Sequence, residues 1–252
     1  MGEGPLGWRP GSWEKTLDVA KGKASLTSMD TTVTPFSELL RRRTHRSHGT
    51  TAGNGFMHDL VDGQCDVADY AALLGQYAFV YDALERAADR MAEHPVAAPF
   101  VTPQLTRMPA IRADLEYLVG PDWAELVCPL PATTAYVRRL NEVAATWPGG
   151  FVAHHYTRYL GDLSGGHLLG SLLAEQFGFD TNGVLFYIFD QVADPNAFGD
   201  TYRAQLDAAP WDDDERERVI AEVELAYALN TGLLAGLDAQ RGPLAPPATA
   251  TA

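Results

Sequence analysis

The sequence predicts a single all-α domain. Apolar residues recur at three- and four-residue intervals through most of the chain, capping residues and Pro/Gly stops delimit those runs, and no alternating strand, hairpin dipeptide or internal repeat interrupts them. Thr34-Pro35 reads as an N-cap followed by proline at the first helical position, opening a helix through Phe36, Leu39, Leu40 and Thr44 to His48. Asp66 caps the next, in which Tyr70, Leu73, Leu74, Tyr77, Tyr81, Leu84, Ala88 and Met91 form one face until His94-Pro95 stops it. Ile111, Leu115 and Leu118 mark a third helix, ended by Gly120-Pro121. Tyr136, Leu140, Val143 and Trp147 mark a fourth, ended by Pro148-Gly149-Gly150. A glycine-rich helix follows from Phe151 to about Phe177, then a shorter one carrying Phe198, Tyr202 and Leu206. The last begins at Asp212, with Glu215 placed for a capping box, and runs to Leu237. Residues 1–33, polar and aperiodic, and the Ala/Pro/Thr-rich tail 238–252 read as disordered, which leaves 34–237 as the working domain.

Charge narrows the function classes. Nineteen Lys+Arg against thirty-three Asp+Glu give a net charge of −14, which repels a phosphate backbone and argues against a nucleic-acid partner. Within 34–237 every basic residue is arginine, and Arg41, Arg42, Arg43 and Arg46 crowd into a stretch without an acid. No apolar run approaches the ~18 residues of a membrane helix, and residues 1–33 lack a signal-peptide core, so the expectation is a cytoplasmic protein without a membrane anchor. Cys65 and Cys128, far apart and in no Cys-x-x-Cys pattern, read as reduced thiols rather than a staple.

Two helices carry the unusual chemistry. On the first, Arg41 stands seven residues before His48, within about 20° of two full turns, so both share a face roughly 10 Å apart. A neutral imidazole ligates metal and a guanidinium clamps a carboxylate, a pairing that suits a haem seen edge-on. The alternatives are a partly buried histidine beside a solvated arginine run, and a metal pair at His45 and His48. On the glycine-rich helix, Gly161, Gly165, Gly166 and Gly170 each cost roughly 1 kcal/mol against alanine. Either two helices pack closely there, or a flat ligand lies on bare backbone with Asp162 beside it.

The run Tyr156-Thr157-Arg158-Tyr159-Leu160-Gly161-Asp162-Leu163-Ser164-Gly165-Gly166 resembles the distal-helix signature of the haem oxygenases, and His48, eight residues before Phe56-Met57, resembles that family's proximal histidine. Tyr81-Asp82-Ala83-Leu84-Glu85, Tyr202-Arg203 and Tyr227-Ala228-Leu229-Asn230 are similar to further family stretches, so the likeness spans about Pro35 to Leu237. It implies a helical bundle with haem sandwiched between a proximal and a distal helix. It also implies cleavage of haem by O2 to biliverdin, CO and ferrous iron, with haem b both substrate and cofactor. His48 would be the axial ligand. Gly161 and Gly165 would let the distal helix lie on the haem. Asp162 would anchor a water network toward iron-bound oxygen, aided by Tyr81 and Asn230 and braced by Arg158. Arg41, Tyr156 and Arg203 would hold the propionates, and Met57 and Tyr227 would line the pocket. For Tyr81 and Asn230 a purely structural role, core tyrosine and buried amide, stays open. No dinucleotide or flavin fingerprint is present, so electrons would come from an external donor of the ferredoxin/ferredoxin reductase or flavin reductase kind.

Three positions depart from the family pattern. Ala52 stands where a glutamate is common, Gly199 where a propionate-binding lysine is common, and His167 where a glutamine is common. The rival from another class is a haem carrier or sensor without turnover, to which a distal aspartate would be superfluous. A di-iron oxidase of related fold would want Glu-x-x-His spacing, and no glutamate supplies it. A thiaminase-like enzyme would want a nucleophilic cysteine, and Cys65 and Cys128 lie outside both informative helices. Cys128-Pro129 resembles a haem-regulatory dipeptide, but two residues carry little information.

Overall fold

A computed structural model of the chain describes residues 34–53 and 55–241; residues 1–33 and 242–252, read above as disordered, lie outside the described residues. Among the described residues the regular elements are all helical: α1 (Phe36–Ala52), α2 (Gly55–Val61), α3 (Val67–Met91), α4 (Met108–Leu118), α5 (Trp123–Leu126), α6 (Pro131–Thr146), α7 (Pro148–Gly161), α8 (His167–Phe177), α9 (Pro195–Ala208) and α10 (Asp213–Arg241), with short 3-10 turns between.

The local signals place these helices well and miss where long-range bonds replace them. Asp66 and Asp69 form a reciprocal capping box on α3. Thr34 does not cap α1: Pro35 holds the N-cap position without a side-chain bond, and the Asp207 carboxylate on α9 accepts the Ser37 N–H (2.7 Å) and hydroxyl (3.0 Å) instead. Asp212 does cap α10, accepting the Glu215 N–H at 2.8 Å. The Glu215 carboxylate, however, takes the Trp147 indole N–H at 2.5 Å rather than closing a box. Pro148 opens α7, so Gly149 and Gly150 sit in its first turn rather than in a stop. The short helices α2 and α5 carry too few apolar repeats to stand out in the sequence.

Helix α10 also runs four residues past Leu237, which corrects the expected boundary. Asp238 accepts the Phe56 N–H (3.0 Å), and Arg241 pairs with Asp59 (2.9 Å) and Asp69 (3.3 Å), locking the last turn onto α2 and the start of α3. By length and composition α10 meets the criteria for a membrane span, but it packs on α7, α1 and α6 as a core helix. α3 packs on α6 and α4, and its Tyr70, Leu84 and Ala87 have no exposed surface.

Two histidines on α7 are buried. His154 donates to Glu222 of α10 (2.8 Å), which also receives Arg139 of α6 (2.8 and 2.6 Å), so one carboxylate ties three helices together. His155 Nδ1 hydrogen-bonds the Tyr202 hydroxyl at 2.9 Å, and burial pushes its pKa down to about 3. The unfolded chain binds that proton near the ordinary histidine value, so the contribution is full above ~6.5 and lost as pH falls toward about 3. Unfolding free energies from urea titrations at pH 7 and pH 5 are expected to differ by about 2 kcal/mol in favour of neutral pH. His155→Phe should flatten that dependence; an unchanged slope would show that His155 does not contribute it.

Candidate active site

The C-terminal part of α1, the junction of α7 with α8, and α10 line a cavity of about 180 Å³ that opens to solvent. His48 and Met57 line it from α1 and α2, Gly161 and Gly165 from the junction, Tyr227 and Asn230 from α10. The glycine-rich helix is not continuous: Asp162–Gly166 forms a π-helical turn between α7 and α8. Such wide turns aim side chains that a regular helix would not.

The four glycines divide between the two readings of that helix. A Cβ on Gly161 or Gly165 would meet nothing within 4 Å, so both present bare backbone to the cavity. A Cβ on Gly170 would stand 2.7 Å from the Tyr187 Cβ, and one on Gly166 would stand 3.2 Å from the Tyr187 ring. Those two glycines serve packing.

Beside the bare backbone lies a polar network. The Tyr81 hydroxyl donates to Asp162 Oδ2 and accepts from Arg158 Nε at 3.2 Å, while Arg158 Nη1 donates to Asn230 Oδ1 at 3.0 Å. The guanidinium also lies 4.3 Å from the centre of the Tyr77 ring. Tyr81 is thus both a core residue and a hydrogen-bonding one, and the Asn230 amide oxygen faces a side chain. Burial holds the Asp162 carboxyl above the usual carboxylate range, against the opposing pull of Arg158 and the Tyr81 hydrogen bond. Burial, with a smaller contribution from His45, lowers the His48 pKa, which favours the neutral imidazole at neutral pH.

Arg41, Tyr156 and Arg203 form a separate neighbourhood outside the cavity wall. Burial raises the Tyr156 phenol pKa, and the charges of Arg203 and Arg41 pull it back. Each arginine already holds a carboxylate that sequence reasoning did not assign: Arg41 takes Glu38 in a two-point bond (3.1 and 3.1 Å), and Arg203 takes Asp200 at 2.7 Å. Arg203 folds over Gly199, its guanidinium 3.4 Å from where a Cβ at 199 would stand. In the arginine cluster Arg43 is paired with Glu217 (3.0 and 3.1 Å), and Arg42 and Arg46 are exposed.

Other contributors were not assigned from sequence. The Thr51 hydroxyl bridges the Tyr227 carbonyl (3.2 Å) and Thr231 (2.8 Å), fastening α1 to α10 beside Ala52. The Tyr227 ring meets His48 edge-on at 5.8 Å and 87°. Phe186 and Tyr187 line the cavity from the loop between α8 and α9, where an aromatic run outside any periodic segment was the available signal. Among the described residues, no group of three or more His, Cys, Asp or Glu side chains could hold a metal ion.

Comparisons with known proteins agree with this architecture. The family model described as Heme oxygenase matches residues 34–235. The chain is 34% identical over 207 residues to the haem oxygenase of Porphyra purpurea, covering 82% of this chain and 88% of that one. It is 35% identical over 199 residues to haem oxygenase 1 of Synechocystis, covering 79% and 83%. The crystal structure of a Synechocystis haem oxygenase-1 in complex with haem superposes with a TM-score of 0.79 at 34% identity, covering 82% of this chain and 93% of that one. The haem oxygenase of Leptospira interrogans superposes at 0.75 and 30% identity, covering 79% and 98%.

Proposed function

The chain belongs to the haem oxygenase family, and from that premise we propose that its cavity takes haem b and that the enzyme cleaves it with O2 and reductant to biliverdin, CO and ferrous iron. The observation that carries this reading is the Asp162–Tyr81–Arg158–Asn230 network, which meets the cavity at Asp162, Arg158 and Asn230 and shares that cavity with His48. A carrier needs a ligand and a pocket; it has no use for a braced carboxylate.

The residues present fit the group. The open space over Gly161 and Gly165 admits a flat face directly onto backbone, and the wall supplies Met57, Tyr227, Phe186 and Leu169 for an apolar macrocycle. His48 would supply a nitrogen donor to the haem iron, since burial favours its unprotonated ring. The edge of the Tyr227 ring meets the His48 imidazole, and Thr51 fastens the Tyr227 backbone to α1. Arg41, Tyr156 and Arg203 would take the propionates, trading the exposed Glu38 and Asp200 for substrate carboxylates; exposed ion pairs of this kind contribute little and exchange readily.

Haem iron, when bound, supplies the centre at which oxygen is reduced and activated. The protein's part is to hold protons beside it. Tyr81 occupies Oδ2 of Asp162, and Oδ1 would accept a hydrogen bond from a water in the cavity. The Arg158 charge opposes the burial that raises the Asp162 pKa, its Nε–H holds the Tyr81 hydroxyl, and Asn230 fixes Arg158. The arrangement donates a hydrogen bond through water rather than delivering a proton directly from a side chain.

Electrons come from a separate donor, for which a ferredoxin system or a flavin reductase is the expected class. The exposed Arg42 stands on the helix that carries His48. Arg42→Glu is expected to slow turnover with an acidic protein donor by about tenfold, with turnover on a small-molecule reductant unchanged; equal rates with both donors would remove Arg42 from the docking surface. Neither Cys65 nor Cys128 is in a disulfide, in keeping with a cytoplasmic location.

The deciding experiment is aerobic turnover of the haem-loaded protein with a reductant, followed by chromatography of the product. The Soret band should decay as a bilin and free iron appear. A Soret band that persists through repeated reduction and oxygenation would instead establish the carrier.

A further inference from the structure

Asp114 on α4 takes no part in the polar network, yet its 0% exposure makes a carboxylate there expensive unless hydrogen bonds replace its water. Three backbone groups do so. Oδ1 accepts the N–H of Gly183 (2.9 Å) and Leu185 (3.0 Å), and Oδ2 accepts that of Phe186 (2.8 Å). All three belong to the loop between α8 and α9. The far end of that loop is held by Arg107, whose guanidinium donates to the carbonyls of Ile188 (2.6 Å) and Phe186 (3.4 Å) and lies 3.8 Å over the Phe189 ring. Glu85 fixes Arg107 in turn, accepting its backbone N–H at 2.6 Å.

The clamped loop delivers two side chains. Phe186 meets the Tyr81 ring edge-on, centroids 5.2 Å apart, and Tyr187 fills the hollow that Gly166 and Gly170 leave in the distal helix. One loop therefore touches both ends of the Tyr81–Asp162 hydrogen bond: the tyrosine ring directly, and the carboxylate through the π-helical turn that carries it.

We propose that Asp114 is a positioning residue for haem cleavage, which sets the placement of Asp162 against Tyr81 by clamping the loop that bears Phe186 and Tyr187. The inference rests on the reading of Asp162 as the residue that holds the proton-donating water. A carboxylate is needed because only an acceptor on both oxygens serves all three N–H groups. An amide would turn its own N–H2 toward one set of donors.

Asp114→Asn, with nearly the same volume, is the direct test. Gly170→Ala approaches the same contact from the helix side, since its Cβ would press on the Tyr187 Cβ at 2.7 Å. Hydrogen exchange on the haem-free proteins should quicken about tenfold at residues 161–170 as well as at 183–189, and bilin formation should fall about tenfold while the haem dissociation constant stays within about threefold. If Asp114→Asn does not fold, Gly170→Ala alone carries the same expectation. Unchanged exchange at 161–170, or haem affinity lost in step with rate, overturns the proposal. A wild-type protein that makes no bilin defeats the haem oxygenase reading and leaves the exchange result to judge the clamp by itself.

Discussion

Replacing His48 by alanine is expected to abolish the histidine-ligated haem spectrum and to lower bilin formation by about 100-fold or more. His48 is the histidine that lines the cavity, and burial favours the neutral form that ligation requires. The truncation leaves an imidazole-sized hole between α1 and Tyr227, so free imidazole should restore much of the spectrum. A histidine spectrum that survives His48→Ala would move the axial ligand elsewhere.

Asp162→Asn is expected to separate binding from chemistry. Haem affinity should stay within about threefold of wild type and bilin formation should fall by about 10²-fold, because the hydrogen-bonding water loses its anchor. The acid limb of the rate profile should vanish with it. In the wild type the carboxyl titrates above its ordinary range because burial disfavours the charge, so the rate should decline on acidification earlier than a free aspartate would dictate. The stability consequence has the opposite sign to the usual acidic residue. The folded protein binds this proton more tightly than the unfolded chain, so ionised Asp162 costs stability above its folded pKa. A melting curve of the asparagine variant taken beside its rate separates lost activity from lost fold. Full bilin yield from Asp162→Asn would refute the role given to it.

How much of this was legible follows from how local each signal is. The main helices were readable because apolar periodicity, the Asp66 cap and the Gly120-Pro121 stop act within a turn or two of chain. His48 and Asp162 stood out in the sequence by different routes: the offset of His48 from Phe56-Met57 resembles the family pattern, and Asp162 lies among glycines that each cost a helix about 1 kcal/mol. The two readings of the glycine run divide by position: Gly166 and Gly170 pack on Tyr187, whereas Gly161 and Gly165 stand over open space that leaves room for a ligand.

By itself, then, the amino-acid sequence determined an all-α domain, the pairing of a histidine helix with a glycine-rich one, and part of the cavity lining, His48, Gly161, Asp162 and Gly165 among it. The tertiary structure alone decided how those residues are held. Thr34 lost α1's cap to Asp207, Glu215 turned to Trp147, α10 ran on to Arg241 because Asp59 and Asp69 await it, and the loop behind the distal helix hangs on Asp114 and Arg107. The physical reason is common to all of them. Their partners are far away in sequence, and several are backbone N–H and C=O groups, which every residue carries and no side-chain pattern announces.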